Sequence, residues 1–247
     1  MRKFGLIGYP LSHSFSQKYF TEKFNKENIQ DCSYQNFSIP DIKEVSAILL
    51  SEPELWGLNV TIPYKEQVIP FLHFKNDVVE QTGACNCIKI LNKKLYGYNT
   101  DVMGFEISLK EKLEENHSHA LILGTGGAAK AVEYVMKKLG IDYKFVSRKS
   151  TTANTISYES LNENIIHSHQ LIINTSPVGM YPNVDAYPEI PYHALTSEHY
   201  LFYLVYNPEK TAFLKKGEEH GAAIKNGHEM LVLQAEESWS IWGGAVE

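Results

Sequence analysis

The segment Ala120-Leu-Ile-Leu-Gly-Thr-Gly-Gly-Ala-Ala129 decides how the chain reads. Residues 120–123 are a short apolar run of strand length, and they pass directly into Gly124-Thr-Gly126-Gly127-Ala128-Ala129, which fits the pattern G-x-G-x-x-G/A. A helix is expected over 128–139, closed by Gly140. In that setting each position has a physical task. Gly124 allows the tight turn, Gly126 lets the backbone approach a pyrophosphate, and small Ala129 lets helix and strand pack closely. The helix N-terminus at Gly127 and Ala128 offers unpaired N–H groups and a positive dipole end to phosphates. A glycine-rich strand-to-helix turn with no ligand would use the same residues, so the next strand has to discriminate.

That strand is Tyr143–Val146, and Ser147-Arg148-Lys149 follows it. An NAD site usually places Asp or Glu there to accept bonds from the ribose 2′-hydroxyl. A carboxylate would repel a 2′-phosphate, whereas Arg148 offers it a planar fork and Lys149 a point charge. The chain has 23 basic residues, and only Arg2 and Arg148 are arginine. Its one interior guanidinium thus stands where NADP is told from NAD, and NADP(H) is the expected cofactor.

Outward from this unit, strands are expected at 171–174 and 201–206. Upstream, strands at 4–7, 33–38 and 57–61 alternate with helices over 17–28 and after Asp41, and strands at 87–91 and 95–98 flank an Asn92-Lys-Lys94 hairpin. The charged segment Lys110 to His119 suggests a boundary, with a helix from about Val102 as connector. The fold class is therefore α/β: two α/β lobes with a cleft between them, the usual place for a small-molecule site. The 247 residues suffice for two cores.

The net charge of −6 argues against nucleic acid or an anionic membrane as a partner. Residues 1–101 hold eleven basic and eleven acidic residues, so the whole deficit falls in 102–247. A phosphorylated cofactor there must be held by local geometry rather than a general positive field. No run of 18 apolar residues and no secretory signal is present, so a cytoplasmic protein is expected. Cys32, Cys85 and Cys87 form no disulfide framework, and Cys85-Asn-Cys87 lacks a second ligand pair, so no metal is expected.

Four clusters in the first lobe place polar side chains at expected strand ends: Ser12-His13-Ser14-Phe-Ser16, Asn59-Val-Thr61-Ile-Pro63-Tyr-Lys65, Gly83-Ala-Cys-Asn86, and Gly97-Tyr-Asn99-Thr-Asp101. Together they would suit a small polyhydroxylated acid. With Asn174-Thr-Ser-Pro-x-Gly179, Tyr206-Asn-Pro208, Thr211, Gly227 and Met230 to Gln234, they resemble the shikimate dehydrogenase family, from Phe4 to Trp242.

The resemblance implies NADPH-dependent, reversible reduction of 3-dehydroshikimate to shikimate, on the route to chorismate and aromatic amino acids, with no metal. It implies a substrate-binding domain over 1–101, a Rossmann-like NADP-binding domain over 102–225, and a C-terminal helix over 226–247 returning to the first domain. Ser14, Ser16 and Tyr206 would bind the substrate carboxylate, and Thr61, Asn86, Asp101 and Gln234 the ring hydroxyls. Lys65 and Asp101 would form the catalytic pair; Gly124, Gly126, Gly127, Ala128, Arg148, Lys149, Asp77 and Gly227 would serve the cofactor. A monomer or homodimer is expected, with a small-molecule substrate as the only partner.

The chain also departs from the family. Gln17 and Tyr19 replace a usual Pro and His, Tyr203 replaces a usual Asp with the expected loss of a contact, and the segment after Lys149 lacks a further basic residue and a helix, implying a thinner adenosine clamp. Two other readings stand beside the first. One is a quinate/shikimate dehydrogenase accepting NAD, and the other a non-catalytic NADP-binding sensor, against which the retention of both Lys65 and Asp101 speaks.

Overall fold

The computed structural model describes residues 1–11, 14–148 and 152–243. Two compact units emerge: Met1–Thr100 together with the chain from Gln234 onward, and Asp101–Leu233.

The first unit contains, in chain order, β1 (Arg2–Gly8), α1 (Phe15–Lys26), β2 (Cys32–Ser38), α2 (Val45–Ser51), β3 (Leu55–Val60), β4 (Phe74–Lys75), α3 (Asp77–Thr82), β5 (Cys87–Leu91) and β6 (Lys94–Tyr98). Its sheet has the order β2-β1-β3-β5-β6-β4. The first three strands are parallel, and β5 runs antiparallel to both β3 and β6. Central β1 is buried from Phe4 to Gly8 on both faces, as a parallel strand covered by helices must be. Helix α1 starts two residues before the expected Gln17, because Ser14 Oγ accepts the Gln17 N–H at 3.2 Å and caps it. Its buried Phe20 and Phe24 lie one turn apart on one face. Asp41 and Glu44 form a capping box on the short 3-10 turn that leads into α2. The hairpin turn is tighter than expected: Asn92 and Lys93 alone make it, both in the left-handed region with φ of 50° and 60°.

Helix α4 (Thr100–Lys110) leads into the second unit, which continues with β7 (His119–Leu123), α5 (Gly127–Leu139), β8 (Asp142–Ser147), β9 (Thr155–Ser157), α6 (Glu163–His167), β10 (Leu171–Asn174), β11 (Tyr200–Tyr203), α7 (Ala212–Glu219), β12 (Ala223–Asn226) and the start of α8 (His228–Gly243), the rest of which, from Gln234, belongs to the first unit. The sheet order is β12-β11-β10-β7-β8-β9, all parallel. Counted from β7 this is 3-2-1-4-5-6 from one edge to the other, the doubly wound arrangement that binds dinucleotides where the order reverses. The reversal lies between β7 and β10. Strand β11 ends at Tyr203 rather than at the expected 206, because its partner β10 ends at the register mate Asn174. The side chain of Asn174 turns back there to accept from Ser176 N and Oγ at 3.0 and 2.7 Å.

The charged segment 110–119 is packed rather than a loose linker. His117 is 4% exposed; its Nδ1 accepts the Glu114 N–H at 2.8 Å, and its Nε2 lies 3.3 Å from the Glu198 carbonyl. His169 and His199 are also buried in this unit, and burial holds all three imidazoles below their ordinary pKa of 6.5. The unfolded chain therefore binds more protons at these sites than the folded one does. Their contribution to stability is complete above pH 6.5 and is lost as pH falls through the depressed folded values. The melting temperature is expected to fall between pH 7.5 and 5.5, and the triple variant with glutamine at 117, 169 and 199 to fall less steeply over the same range. Parallel curves for the two proteins would contradict the assignment.

Candidate active site

In the first unit the strand polarity gathers the residues around Thr61, Asn86 and Thr100 on one edge. Strands β1 and β3 are parallel, so their carboxyl ends coincide: Thr61 N donates to Ile7 O at 2.9 Å, and Tyr9 N to Ile62 O at 3.1 Å. Strand β5 is antiparallel to β3, which brings its beginning to the same edge. There Val60 N donates to Asn86 O at 2.8 Å, and Asn86 N to Tyr98 O at 3.1 Å. Lys65 sits half-buried on the turn after β3. Its carbonyl accepts the Cys85 N–H at 2.8 Å, and the preceding Tyr64, 2% exposed, donates its hydroxyl to Ile39 O at 2.5 Å. Lys65 is thus carried on backbone anchored to the core.

Behind this edge runs a buried hydrogen-bond chain. Tyr34 Oη donates to Asn59 Oδ1 at 2.8 Å, and Asn59 Nδ2 donates to Ser238 Oγ at 3.0 Å. Ser238 Oγ lies 3.3 Å from Thr100 Oγ1 and donates to Gln234 O at 2.8 Å. Asn86, 3% exposed, accepts the Thr100 N–H on Oδ1 at 2.7 Å and donates through Nδ2 to Thr100 Oγ1 at 3.1 Å. The amide of Asn86 therefore fixes the residue preceding Asp101, which lies in the first turn of α4, where a carboxylate is favoured by the helix dipole. The Ser16 hydroxyl interacts with the Tyr34 phenol, whose pKa burial drives well up. Asn59 and Thr100 stood inside sequence motifs with no role given them. Tyr34 carried no sequence signal, and the only hint of Ser238 was its spacing of one helical turn after Gln234.

Ser14 caps α1 through its oxygen, which leaves its proton to donate elsewhere. Gln17 supplies the N–H for that cap, which a proline at this position could not do. Asp77 is exposed at the start of α3, where Asn76 caps the helix by accepting from Val79 N at 3.0 Å. Cys85 and Cys87 are buried thiols flanking Asn86. Ser12, His13 and Lys149 lie outside the described residues.

In the second unit the glycine turn sits at the sheet reversal. Gly124 has φ of +111°, and a Cβ there would stand 2.9 Å from Thr175 Oγ1. Thr175 in turn donates to Leu123 O through both N and Oγ1, at 3.0 and 2.9 Å. The carboxyl ends of β7 and β10 are thereby stitched together. Over Gly126 the space is open, with nothing within 4 Å of a built Cβ, and Gly126 starts α5 without any side-chain cap. Uncapped N–H groups at Gly127 and Ala128 facing open space are what a pyrophosphate requires. Ala129 is buried against the sheet. At the end of β8, Arg148 is exposed, and among the described residues no carboxylate pairs with it. At Gly227 a Cβ would come within 1.9 Å of Leu204 O, so only glycine allows this approach of the chain after β12 to the chain after β11.

Tyr203, which stands where the family usually has Asp, donates its buried hydroxyl to Ser176 O and Val178 O at 3.1 and 2.9 Å and so ties down the loop after β10. Tyr206, 37% exposed, lies three residues on, with its ring edge-on to His228 at 6.2 Å.

Residues 6–88 match the family model described as the shikimate dehydrogenase substrate binding domain. A curated relative from Staphylococcus haemolyticus, named shikimate dehydrogenase (NADP(+)), is 36% identical over 253 residues, covering 98% of this chain and 92% of the relative. A crystal structure of shikimate 5-dehydrogenase from Thermus thermophilus in complex with NADP(H) and shikimate aligns with a TM-score of 0.87 at 25% identity, over 100% of this chain and 95% of that one. The Listeria monocytogenes enzyme in complex with shikimate and NAD aligns with a TM-score of 0.88 at 27% identity, over 98% and 91% of the two chains. Among the described residues no helix is long and apolar enough to cross a membrane.

Proposed function

The chain belongs to the shikimate dehydrogenase family, and on that premise we propose that it interconverts 3-dehydroshikimate and shikimate with NADP(H), on the route to chorismate, through Lys65 and Asp101. The observation that carries this reading is the 36% identity with an NADP-dependent enzyme over nearly the full length of both chains. The direct test is the appearance of NADPH absorbance when the purified protein is given shikimate and NADP+.

NADPH, when bound, supplies the hydride that adds to the 3-carbonyl carbon. The carbonyl oxygen then needs a proton, and the Lys65 ammonium gives it while stabilising the charge that develops there. Asp101 orients the lysine and shares in the proton exchange. Ser14 and Ser16 donate to the substrate carboxylate, with Tyr206 a further donor. Thr61, Asn86, Asp101 and Gln234 hold the ring hydroxyls, and the buried Tyr34-Asn59-Ser238-Thr100 chain keeps their backbones in register.

The cofactor side fits NADP in its donor set: the left-handed turn at Gly124, the open space over Gly126, the N–H groups of Gly127 and Ala128, and an exposed guanidinium at the end of β8. Lys149, Asp77 and Gly227 complete the proposed set. Removing one charged contact to phosphate costs about 1.5–3 kcal/mol, or roughly ten- to a hundredfold. Arg148→Ala should raise KM for NADP+ by that factor and KM for NAD+ by less than threefold. An equal rise for both cofactors would mean that Arg148 does not read the 2′-phosphate. We place the enzyme in the cytoplasm, as a monomer or homodimer.

A further inference from the structure

Strands β8 and β9 are parallel, yet only residues 148–154 join them. A parallel crossover usually takes a dozen residues or more, most of them helical.

The last register pair of the two strands is Ser147 with Ser157. Arg148 and Tyr158 are therefore the first residues beyond the carboxyl edge on adjacent strands, whose spacing in a sheet is about 4.8 Å. The Tyr158 ring packs against the hydrophobic core of the second unit, which fixes its direction. The Arg148 charge acts on the Tyr158 phenol and opposes the upward push of burial on its pKa. Among the described residues the phenol hydroxyl makes no hydrogen bond and the guanidinium no ion pair. Two donors with unused capacity thus stand side by side where the sheet edge receives a dinucleotide. No carboxylate ends β8 to accept from a ribose hydroxyl, as an NAD site usually provides.

We propose that Tyr158 is a specificity-determining residue of the cofactor site, its hydroxyl and the Arg148 guanidinium together holding the 2′-phosphate that separates NADP from NAD. This rests on the cofactor reading given above and adds to it a residue from β9. The charged oxygens of a 2′-phosphate accept from both groups at charge-assisted strength, whereas a ribose hydroxyl offers them only a neutral oxygen. The tyrosine supplies what the short connection after Lys149 leaves out.

The test is calorimetric binding of adenosine 2′,5′-bisphosphate and of AMP to the intact protein and to the Tyr158→Phe, Arg148→Ala and double variants. Tyr158→Phe keeps the ring and its packing, so the fold is retained. It should weaken the bisphosphate about ten- to a hundredfold, the range for one hydrogen bond to a charged group, and leave AMP within twofold. In the Arg148→Ala background the same change should have a smaller effect, since the two donors share one phosphate. Equal weakening of both ligands, or no change in either, would overturn the assignment to Tyr158 while leaving the cofactor reading intact. Failure of the parent protein to bind either ligand would overturn both.

Discussion

Replacing Lys65 with alanine is expected to lower kcat for shikimate oxidation by about a hundred- to ten-thousandfold, the range for loss of a positioned proton donor. The shikimate dissociation constant should stay within a few-fold. The split follows from where the residue stands. Its backbone is held by Cys85 N at 2.8 Å and by the buried Tyr64 beside it, so truncating the side chain leaves the turn and the neighbouring Thr61 in place. The substrate carboxylate and ring hydroxyls are assigned to other side chains, so binding persists when the ammonium is gone. Stopped-flow turnover and calorimetry on the same preparation check both halves. A variant that loses binding and turnover in parallel would make Lys65 a ligand-holding residue rather than the proton donor.

Trp242→Ala is expected to destabilise the protein by about 3–5 kcal/mol, the usual cost of truncating a buried large aromatic. Trp242 is 2% exposed and stacks on Phe4 with ring centroids 4.8 Å apart, within a cluster that includes Phe20, Tyr34 and Trp239. Its Nε1 donates to Ile88 O at 3.0 Å, so truncation opens a cavity and also removes a hydrogen bond to β5. The effect reaches function through α8. Gln234 lies eight residues earlier, about two helical turns, and the segment between them is held to the first unit by Ser238 and by the ion pair of Glu236 with Lys23 at 2.9 Å. With its far anchor gone, the helix should also hold Gln234 less well, and KM for shikimate should rise. Trp242→Phe, which keeps an aromatic ring but loses the hydrogen bond and part of the buried volume, should cost less than the alanine change. Urea unfolding reads these differences; a loss below 1 kcal/mol for the alanine variant would contradict this account of how α8 is attached.

What was legible in the sequence followed strong local patterns. The parallel strands β1, β7 and β10 are apolar runs buried on both faces, and the glycine turn with the Gly140 cap announced α5. Elements with short or mixed patterns were not foreseen. Strand β12, Ala223-Ile-Lys-Asn, has no alternation to read, and α6 has only five residues. Their structure is imposed by neighbours, β12 by pairing with β11 and α6 by the Asn162 cap together with burial of Ile166. At the candidate site the motif residues were legible because each follows a strand end. The chain behind them was not, because a buried tyrosine such as Tyr34 or a serine such as Ser238 has no sequence signature until the fold places their partners within 3 Å. Tyr203 shows the same limit from the other side. Its identity departs from the family, but only the structure shows its hydroxyl reaching two carbonyls of the loop after β10.

The central claim is that this chain oxidises shikimate with NADP+ through a site that reads the 2′-phosphate. Initial rates with shikimate and quinate, each with NADP+ and NAD+, test it most directly. The account predicts the highest kcat/KM for shikimate with NADP+. A clear preference for quinate with NAD+, or no turnover of shikimate with either cofactor, would contradict it.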